Sequence, residues 1–537
     1  MPWIAGRSSA MVWRTRWFLP AAVAAASAAV CLPFALVPGV HWDDAYITFR
    51  FAANLAAGHG LAFNPGEPSY GFTSPLWMLV LAGLALCAGP EVLPAAAEVI
   101  GVACHAAAAA VTAGLVQDRL GRPWIALLAG LAIGANPLLV LLAVSGMETP
   151  LALLLVASAL RLHARHRTAR PFALGTVLGL AVLTRPDLAL LPLAILGVEL
   201  VRAAEAWRRR RRTDLVRLVL CGCATLAVAG PWFAGSRLRF GEWLPPTRQG
   251  KLIGRLPERH DITYTEFLAL SGGERARLAA ADLRARFALA EGGALALPVV
   301  LGVAAVALLA LHPAPRARWR PHAPSLLAAG SFTALLLGVL AFSFPLPIPR
   351  YTAPLLPAAT AVTFVGIGSL LPAQRRRSRS PALAAAAGLA GSLLLVYREF
   401  VPHAAAERMS GDIGRWLATR AGTDAVVAVE PIGQIGFTSG LRIVDLGGLV
   451  SSEVWPHIIG GYSSDLPGLR GFLDRQGVTH VVDYSSGHPL SLTPLTRGPG
   501  FRLLRSFGRG RDRHLVFERR RGGAEATAAR AAAPQSF

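Results

Sequence analysis

Apolar runs of roughly twenty residues, separated by short polar and basic stretches, fill most of this chain. A helix rising 1.5 Å per residue needs about that many residues to cross a hydrocarbon core of ~30 Å. The pattern predicts spans at about 17–40, 94–117, 123–145, 149–162, 171–184, 187–203, 214–233, 293–311, 324–343, 352–372 and 381–397, about eleven helices in an all-α polytopic bundle. Basic clusters mark the cytoplasmic side of such a bundle. They fall at Arg119 and Arg122, Arg161–Arg170, Arg208–Arg212, Arg316–Arg320 and Arg375–Arg379. Placing all of them inside gives one consistent path, with the N-terminus inside and the C-terminus outside. The apolar block 74–89 is too short for a crossing, and counting it as one would put every later basic run on the wrong side. It is read as a juxtamembrane or re-entrant segment of the first external loop.

Three outer segments remain. The first is the loop 41–93, and the second is 236–292, where apolar residues recur at helical spacing over 263–290. The third is everything after Glu399, where the pattern changes to short apolar runs. Strands are predicted at 424–430, 441–446, 478–484, 501–507 and 513–519, with helices at 409–420 and 464–476. Alternation of this kind predicts a small α/β domain over 400–522. The Ala-, Arg- and Gly-rich end, 523–537, has too little to bury and is expected to be disordered.

Composition agrees with the span pattern. Of 537 residues 53% are hydrophobic and 16% charged, with mean hydropathy +0.47, which excludes an ordinary soluble globular protein. The net charge of +22 would point to nucleic acid in a soluble chain. Here the arginines are gathered in short runs between apolar blocks, as membrane topology requires, so no nucleic-acid partner is expected. Cys31, Cys87, Cys104, Cys221 and Cys223 all lie in apolar stretches without a C-x-x-C, so neither a disulfide framework nor a zinc site follows. The first apolar block follows Arg7, Arg14 and Arg16 but is too long for a signal-peptide core, and it reads as a retained helix. The high content of Ala, Arg and Gly suggests a high-GC bacterium, and the multi-pass chain is expected in the bacterial cell (inner) membrane.

Polar residues at the outer ends of the spans carry the candidate chemistry. Asp43 and Asp44 follow the first span in HWDDAYITFR. Acids so near the membrane mark a function by default, although Asp also suits the start of the helix that follows. Glu148 in VSGMETPL is either a rim residue or, with Ser145, part of a helix cap. Arg185 and Asp187 in LTRPDL are either rim residues or a local ion pair. Arg248 and Lys251 follow a Pro-Pro turn, and Arg350 and Tyr351 follow the Pro-rich stretch FPLPIPRY. Taken jointly, acids and cations gather at one rim. Paired carboxylates can deprotonate a hydroxyl or hold a divalent cation, and arginine and lysine can neutralise a departing phosphate. No phosphate-binding Gly-rich loop is present, so nucleotide use is not indicated.

DDAYITFRFAANLAAGHGLAFNPGE followed by YGFTSPLW resembles the first external loop of GT-C superfamily glycosyltransferases, and within it the mycobacterial terminal β-(1→2)-arabinofuranosyltransferases. SGMETPL, LTRPD, LPPTRQGK, PRYTAPLLP and VEPIGQIGFTSGLRIVDLGGL follow in the order that family would show, so the likeness runs from about 15 to 520. The resemblance implies a GT-C-like transmembrane domain over 1–399, followed by the extracytoplasmic α/β domain. It implies inverting transfer of a sugar, arabinofuranose in the nearest relatives, from a polyprenyl-phosphate donor to a cell-envelope glycan or glycolipid acceptor, on the extracytoplasmic face. The general base maps to Asp43 or Asp44, with Asp43 favoured. Arg350 and Lys251 would contact the donor phosphate, and Glu148 and Arg185 would line the rim. Metal use is open: some members need a divalent cation (Mg or Mn), which Asp43 and Asp44 would hold, and others need none. LPPTRQGK stands where relatives have a Pro-Asn-Thr-aromatic pattern, so the likeness is weakest at Lys251.

Two rival classes stay in view. A transporter or flippase for a lipid-linked glycan would carry its charges at the bundle midplane. A non-catalytic cell-envelope scaffold would leave the acids of the first loop without a purpose. Convergence of Asp43, Glu148, Arg185 and Arg350 is the feature that separates a transferase from a scaffold.

Overall fold

The computed structural model describes residues 5–37, 41–165, 170–208, 213–287, 322–343, 349–370, 407–460, 464–484, 491–498, 500–508 and 513–520. In chain order the helices are α1 (Ala5–Ala35), α2 (Asp43–Ala56), α3 (Pro75–Ala88), α4 (Leu93–Leu120), α5 (Pro123–Gly134), α6 (Pro137–Val144), α7 (Thr149–Ala164) and α8 (Pro171–Thr184). They continue as α9 (Leu190–Arg208), α10 (Thr213–Phe240), α11 (Thr247–His260), α12 (Tyr264–Ala269), α13 (Gly272–Phe287), α14 (Ala323–Ser343), α15 (Pro349–Thr352) and α16 (Leu355–Leu370). The chain divides into two compact units. The first contains 1–45, 73–244 and 274–404; the second contains 46–72, 245–273 and 405–537. Much of both predicted outer loops therefore clusters with the C-terminal α/β region rather than with the helical bundle.

Within the first unit, four helices among the described residues are long and apolar enough to cross a membrane: Phe18–Ala35, Pro90–Leu120, Thr213–Phe240 and Ala323–Leu340. The pair α5 and α6 makes a fifth if taken as one span bent by 54°. The bend has a local cause. α5 ends at Gly134, and Asn136 caps α6 by accepting from the Leu139 amide at 3.2 Å, while Pro137 occupies the first turn. The predicted spans at 149–162, 171–184 and 352–372 are helices of 16, 14 and 16 residues. At 1.5 Å per residue they reach only ~21–24 Å, short of a full hydrocarbon core. The block 74–89 forms the 14-residue α3. The predicted spans 293–311 and 381–397 and the tail 523–537 lie outside the described residues. All five cysteines are free.

Bundles in lipid gain little from apolar burial between helices and rely on close packing of small residues. Here α8 and α10 approach through Gly175 and Gly179, where an added Cβ would meet the carbonyls of Cys221 and Thr225. Thr225 Oγ1 donates to the Gly175 carbonyl at 3.1 Å across the same contact. Around it Leu178, Leu188, Leu191, Ile195, Phe332 and Leu336 form a shared core.

The second unit is built on a five-stranded sheet of order β4-β3-β5-β7-β6, with β3 Val426–Val429, β4 Arg442–Asp445, β5 His480–Tyr484, β6 Phe501–Phe507 and β7 His514–Arg519. β3 pairs in parallel with β4 and β5, and β7 runs antiparallel to β5 and β6. Each of the five strands lies within its predicted segment. The helix 407–420 and the helix Leu466–Arg475 match the two predicted ones. Ile253 of α11 joins Ala428, Val444, Leu469, Phe472 and Val481 in one core. A small hairpin, β1 (Ala62–Asn64) with β2 (Glu67–Pro68), turns at Pro65-Gly66, where Gly66 takes φ +81°, the position a type II turn reserves for glycine.

Candidate functional site

The site is assembled at one end of the first unit from four separated stretches. Asp43 and Asp44 form the first turn of α2, where an acid complements the exposed amides and helix dipole. Trp42 ties that start down, its amide donating to the Ser145 carbonyl at 3.1 Å. Ser145 to Glu148 make the corner between α6 and α7. There Gly146 takes φ +79° and its carbonyl accepts from Trp77 Nε1 at 3.1 Å. Arg185 sits between α8 and the 3-10 turn Pro186–Ala189, where Pro186 prevents α8 from continuing. Arg350 and Tyr351 lie in α15, just before α16.

Long-range pairing brings these stretches together. Arg350 Nη2 donates to Asp44 Oδ2, its partner 306 residues away. Arg185 Nη1 donates to Glu148 Oε1 at 3.1 Å, while Nε and Nη2 fork onto the two Asp187 oxygens at 3.0 and 2.8 Å. The Tyr351 ring stands between the two arginines, with the Arg185 guanidinium 4.8 Å and the Arg350 guanidinium 5.3 Å from its centroid. Trp42 offers a second ring to Arg350 at 5.9 Å. Such faces favour a cation most when water is excluded, and Arg185 and Arg350 are only 3% and 5% exposed.

Burial alone would lower the pKa of either arginine. Asp187 and Glu148 instead hold Arg185 above the ordinary guanidinium value, and Asp44, Tyr351 and Glu148 do the same for Arg350. Both are permanently cationic. Glu148 makes no side-chain cap bond at the start of α7; its carboxylate pairs with Arg185 instead. Arg185 and Asp187 do form the local pair, and Arg185 reaches Glu148 as well.

Asp44, Glu148, Arg185, Arg350 and Tyr351 thus meet in one cluster, with Asp43 adjoining Asp44 on the first turn of α2. Arg248 and Lys251 belong to the second unit, on the first turns of α11. Between Arg248 and Lys251, Gly250 packs so closely on the loop after β4 that an added Cβ would meet the carbonyls of Gly448 and Gly447, the nearer at 2.5 Å. Among the described residues no three His, Cys, Asp or Glu side chains are grouped to hold a metal ion. Two neighbouring carboxylates, one of them engaged by Arg350, fit a divalent cation poorly.

Sequence reasoning missed Trp42 and Trp77, which hold the site's corners, and a second arginine centre in the motif of the first loop. Arg50 in α2 is 5% exposed and lies in the second unit. It donates to the carbonyls of Phe63 at 2.6 Å, Leu441 at 2.7 Å and Gly436, and to Asn64 Oδ1 at 3.1 Å. Asn64 in turn pairs with both backbone groups of Ile443, at 3.0 and 2.8 Å, as a neighbouring strand would. Burial pulls the Arg50 guanidinium down to about 10, with Glu67 opposing. The only hint of this role in the sequence is an arginine on an otherwise apolar stretch.

The chain is a membrane protein whose fold is that of GT-C glycosyltransferases, as the solved structures it resembles show. The solved structures it resembles include ArnT from Cupriavidus metallidurans, a GT-C glycosyltransferase, in the apo state, with TM-score 0.57 at 16% identity over 98% of this chain and 100% of that one. The same enzyme bound to undecaprenyl phosphate matches with TM-score 0.55 at 15% identity, over 92% and 97% of the two chains. Residues 398–525 match a domain of unknown function, DUF8728. No curated protein matches.

Proposed function

We propose that this chain is a membrane glycosyltransferase that moves a sugar from a polyprenyl-phosphate donor to a cell-envelope glycan or glycolipid acceptor, on the extracytoplasmic face of a bacterial inner membrane. The observation that carries the reading is the Asp44–Arg350 pair, joined through Tyr351 to Arg185 and Glu148, at one end of a bundle with the GT-C fold. A neighbour of that fold bound to undecaprenyl phosphate supports a lipid-phosphate donor.

By the resemblance Asp43 takes the proton from an acceptor hydroxyl, and Asp44, paired with Arg350, supports it. The hydroxyl oxygen attacks the anomeric carbon as the bond to the phosphate oxygen breaks. The bonding pair leaves with the lipid phosphate, and the anomeric configuration inverts. Arg350, cationic and shielded from water, is the group of the cluster best suited to stabilise that phosphate. Arg185 has Nε, Nη1 and Nη2 occupied by carboxylates, so its part is to hold the rim. Four carboxylates against two guanidiniums leave the cluster acidic, so a phosphate requires further cations. By the resemblance Lys251 would contact the donor phosphate and Arg248 the substrate. Arabinofuranose is the sugar the resemblance implies.

A scaffold would gain nothing from so many charges held out of water. A flippase would need them at mid-helix, whereas Asp43, Asp44, Glu148, Arg185 and Arg350 sit at helix ends. The test is purified full-length protein in detergent, incubated with a panel of polyprenyl-phosphate sugars and scored for released lipid phosphate. Release with one sugar and none after Asp43→Asn supports the reading. No release with any sugar in the presence of cell-envelope acceptor rejects it.

A further inference from the structure

The start of α2 has a further anchor, which the proposed reaction does not use. His41, two residues before Asp43, meets Glu98 of α4: the ring Nε2 donates to Glu98 Oε2 at 3.1 Å, across 57 residues of chain. Both side chains are largely shielded, at 13% and 14% exposure. Glu98 stands out by its place. It lies within the apolar stretch Pro90–Leu120, long enough to cross a membrane, and is the only Asp, Glu, Lys or Arg of α4 before Asp118. The dipole of a helix end acts over the first turn, and Glu98 is already in the second turn of α4. An ionisable residue so placed is costly and marks a function together with the partner it is paired to.

α4 is closely seated where Glu98 sits. Gly101, three residues on and so on the same face, packs so tightly that an added Cβ would meet the Ala143 carbonyl at the end of α6. Val102 joins Val30, Phe34, Val140 and Val144 in one core, which ties the end of α1 to the same two helices. The segment that leads into α2 is then fastened to three different elements. His41 reaches α4, the Trp42 amide reaches Ser145 at the corner of α6 and α7, and Asp44 reaches Arg350 of α15. The bonds at Trp42 and Asp44 alone would let the segment rock about the line joining them, and a third bond to another helix removes that freedom. A displacement of about 1 Å in a reacting group can cost about 10²-fold in rate, so the hold on this turn decides how well Asp43 meets an acceptor hydroxyl.

We infer that the His41–Glu98 pair is a positioning device for Asp43, setting the aim of that carboxylate through the loop rather than acting on substrate. The inference rests on the reading of Asp43 as the base. Its test is a double-mutant cycle in purified full-length protein, scored for lipid phosphate released from the polyprenyl-phosphate sugar that the wild type accepts. H41F, E98L and H41F/E98L should each lower kcat by about the same factor, roughly 10–100-fold, and leave KM for the donor within about twofold. The double variant replaces the pair by two apolar side chains and leaves no polar group unpaired, so it keeps the test should a single variant fold poorly. H41Q, whose amide carries an N–H at about the reach of the lost ring nitrogen, should recover turnover to within about threefold of wild type. Losses that multiply in the double variant, a H41Q as slow as H41F, or unchanged kcat in H41F/E98L would overturn the inference and leave the transferase reading standing. No release by the wild type with any sugar, in the presence of cell-envelope acceptor, would overturn both.

Discussion

Two buried arginine centres begin in the same helix and are solvated in opposite ways. Arg350 faces the carboxylate of Asp44 in the first turn of α2 and two aromatic rings. Arg50, further along α2, faces three backbone carbonyls and an amide oxygen. Neutral acceptors satisfy a guanidinium's geometry while leaving its charge uncompensated, which suits a permanent joint between loops and a strand. Carboxylate partners make a charge pair that a charged substrate would perturb. Charge alone therefore does not mark a functional site; the kind of partner does.

The sharpest way to break this comparison is Asp43→Asn. A positioned base contributes about 10²–10⁴-fold, so turnover should fall by that much while expression and membrane insertion stay intact. Lipid-phosphate release by the purified variant measures it. Near-normal turnover would remove Asp43 from the role of base and leave the charged cluster without its chemistry.

Asp44→Asn comes next. It takes the hydrogen-bonded carboxylate from the buried Arg350 and leaves Glu148 as the remaining acid near it, which typically costs about 3 kcal/mol, and thermal unfolding of the detergent-solubilised protein reports it. Removing both partners in D44N/R350Q should recover much of that stability and none of the activity. If the double variant were as unstable as the single one, the pair would be a structural strut and the contrast with Arg50 would dissolve.

Arg50→Gln tests the other side. Losing most of a set of four buried hydrogen bonds should destabilise the second unit by about 2–3 kcal/mol, read by protease resistance of the 405–520 region. Arg50→Lys should be nearly as damaging, because an ammonium cannot span four acceptors arranged around a planar fork. Turnover per folded molecule is expected to be kept. Loss of turnover without loss of stability would make Arg50 part of the chemistry.

How much of this could be read beforehand follows from the range of the forces involved. The strands were legible because their signal is local: VVAV, RIVD and HVVDY are apolar runs bounded by Gly, Asp or Ser. The kink at Asn136-Pro137 is equally local, yet the apolar pattern continues through it and hides it. Asp44 and Arg350 were legible by type and place, as charges at helix ends, but a pairing across 306 residues has no sequence signature. Glu148 looked as much like a cap as a rim residue, and the bond it makes instead goes to Arg185, 37 residues on. Arg50 offered only its place on an apolar stretch, since its partners at Gly436 and Leu441 are backbone carbonyls, which any residue supplies.

The smallest expected effect concerns acids of the second unit that are paired in yet another way. Asp445, at the end of β4, accepts amides of Gly447, Gly448 and Val450 at 2.9, 3.0 and 2.7 Å. Burial nonetheless pushes its carboxyl up to about 7, and burial likewise pushes Asp483 up to about 6. Both folded values lie above the unfolded one, so the folded state binds protons more tightly. The stability they contribute is complete below pH ~4 and is lost as pH rises through about 6 and 7. Thermal unfolding of the second unit between pH 4 and 8 should show stability falling, by up to about 1 kcal/mol per pH unit for each carboxyl. Asp445→Asn should flatten the upper part of that slope. A rise in stability with pH would mean that the three amides outweigh burial, and that Asp445 is held as a carboxylate by neutral donors just as Arg50 is held by neutral acceptors.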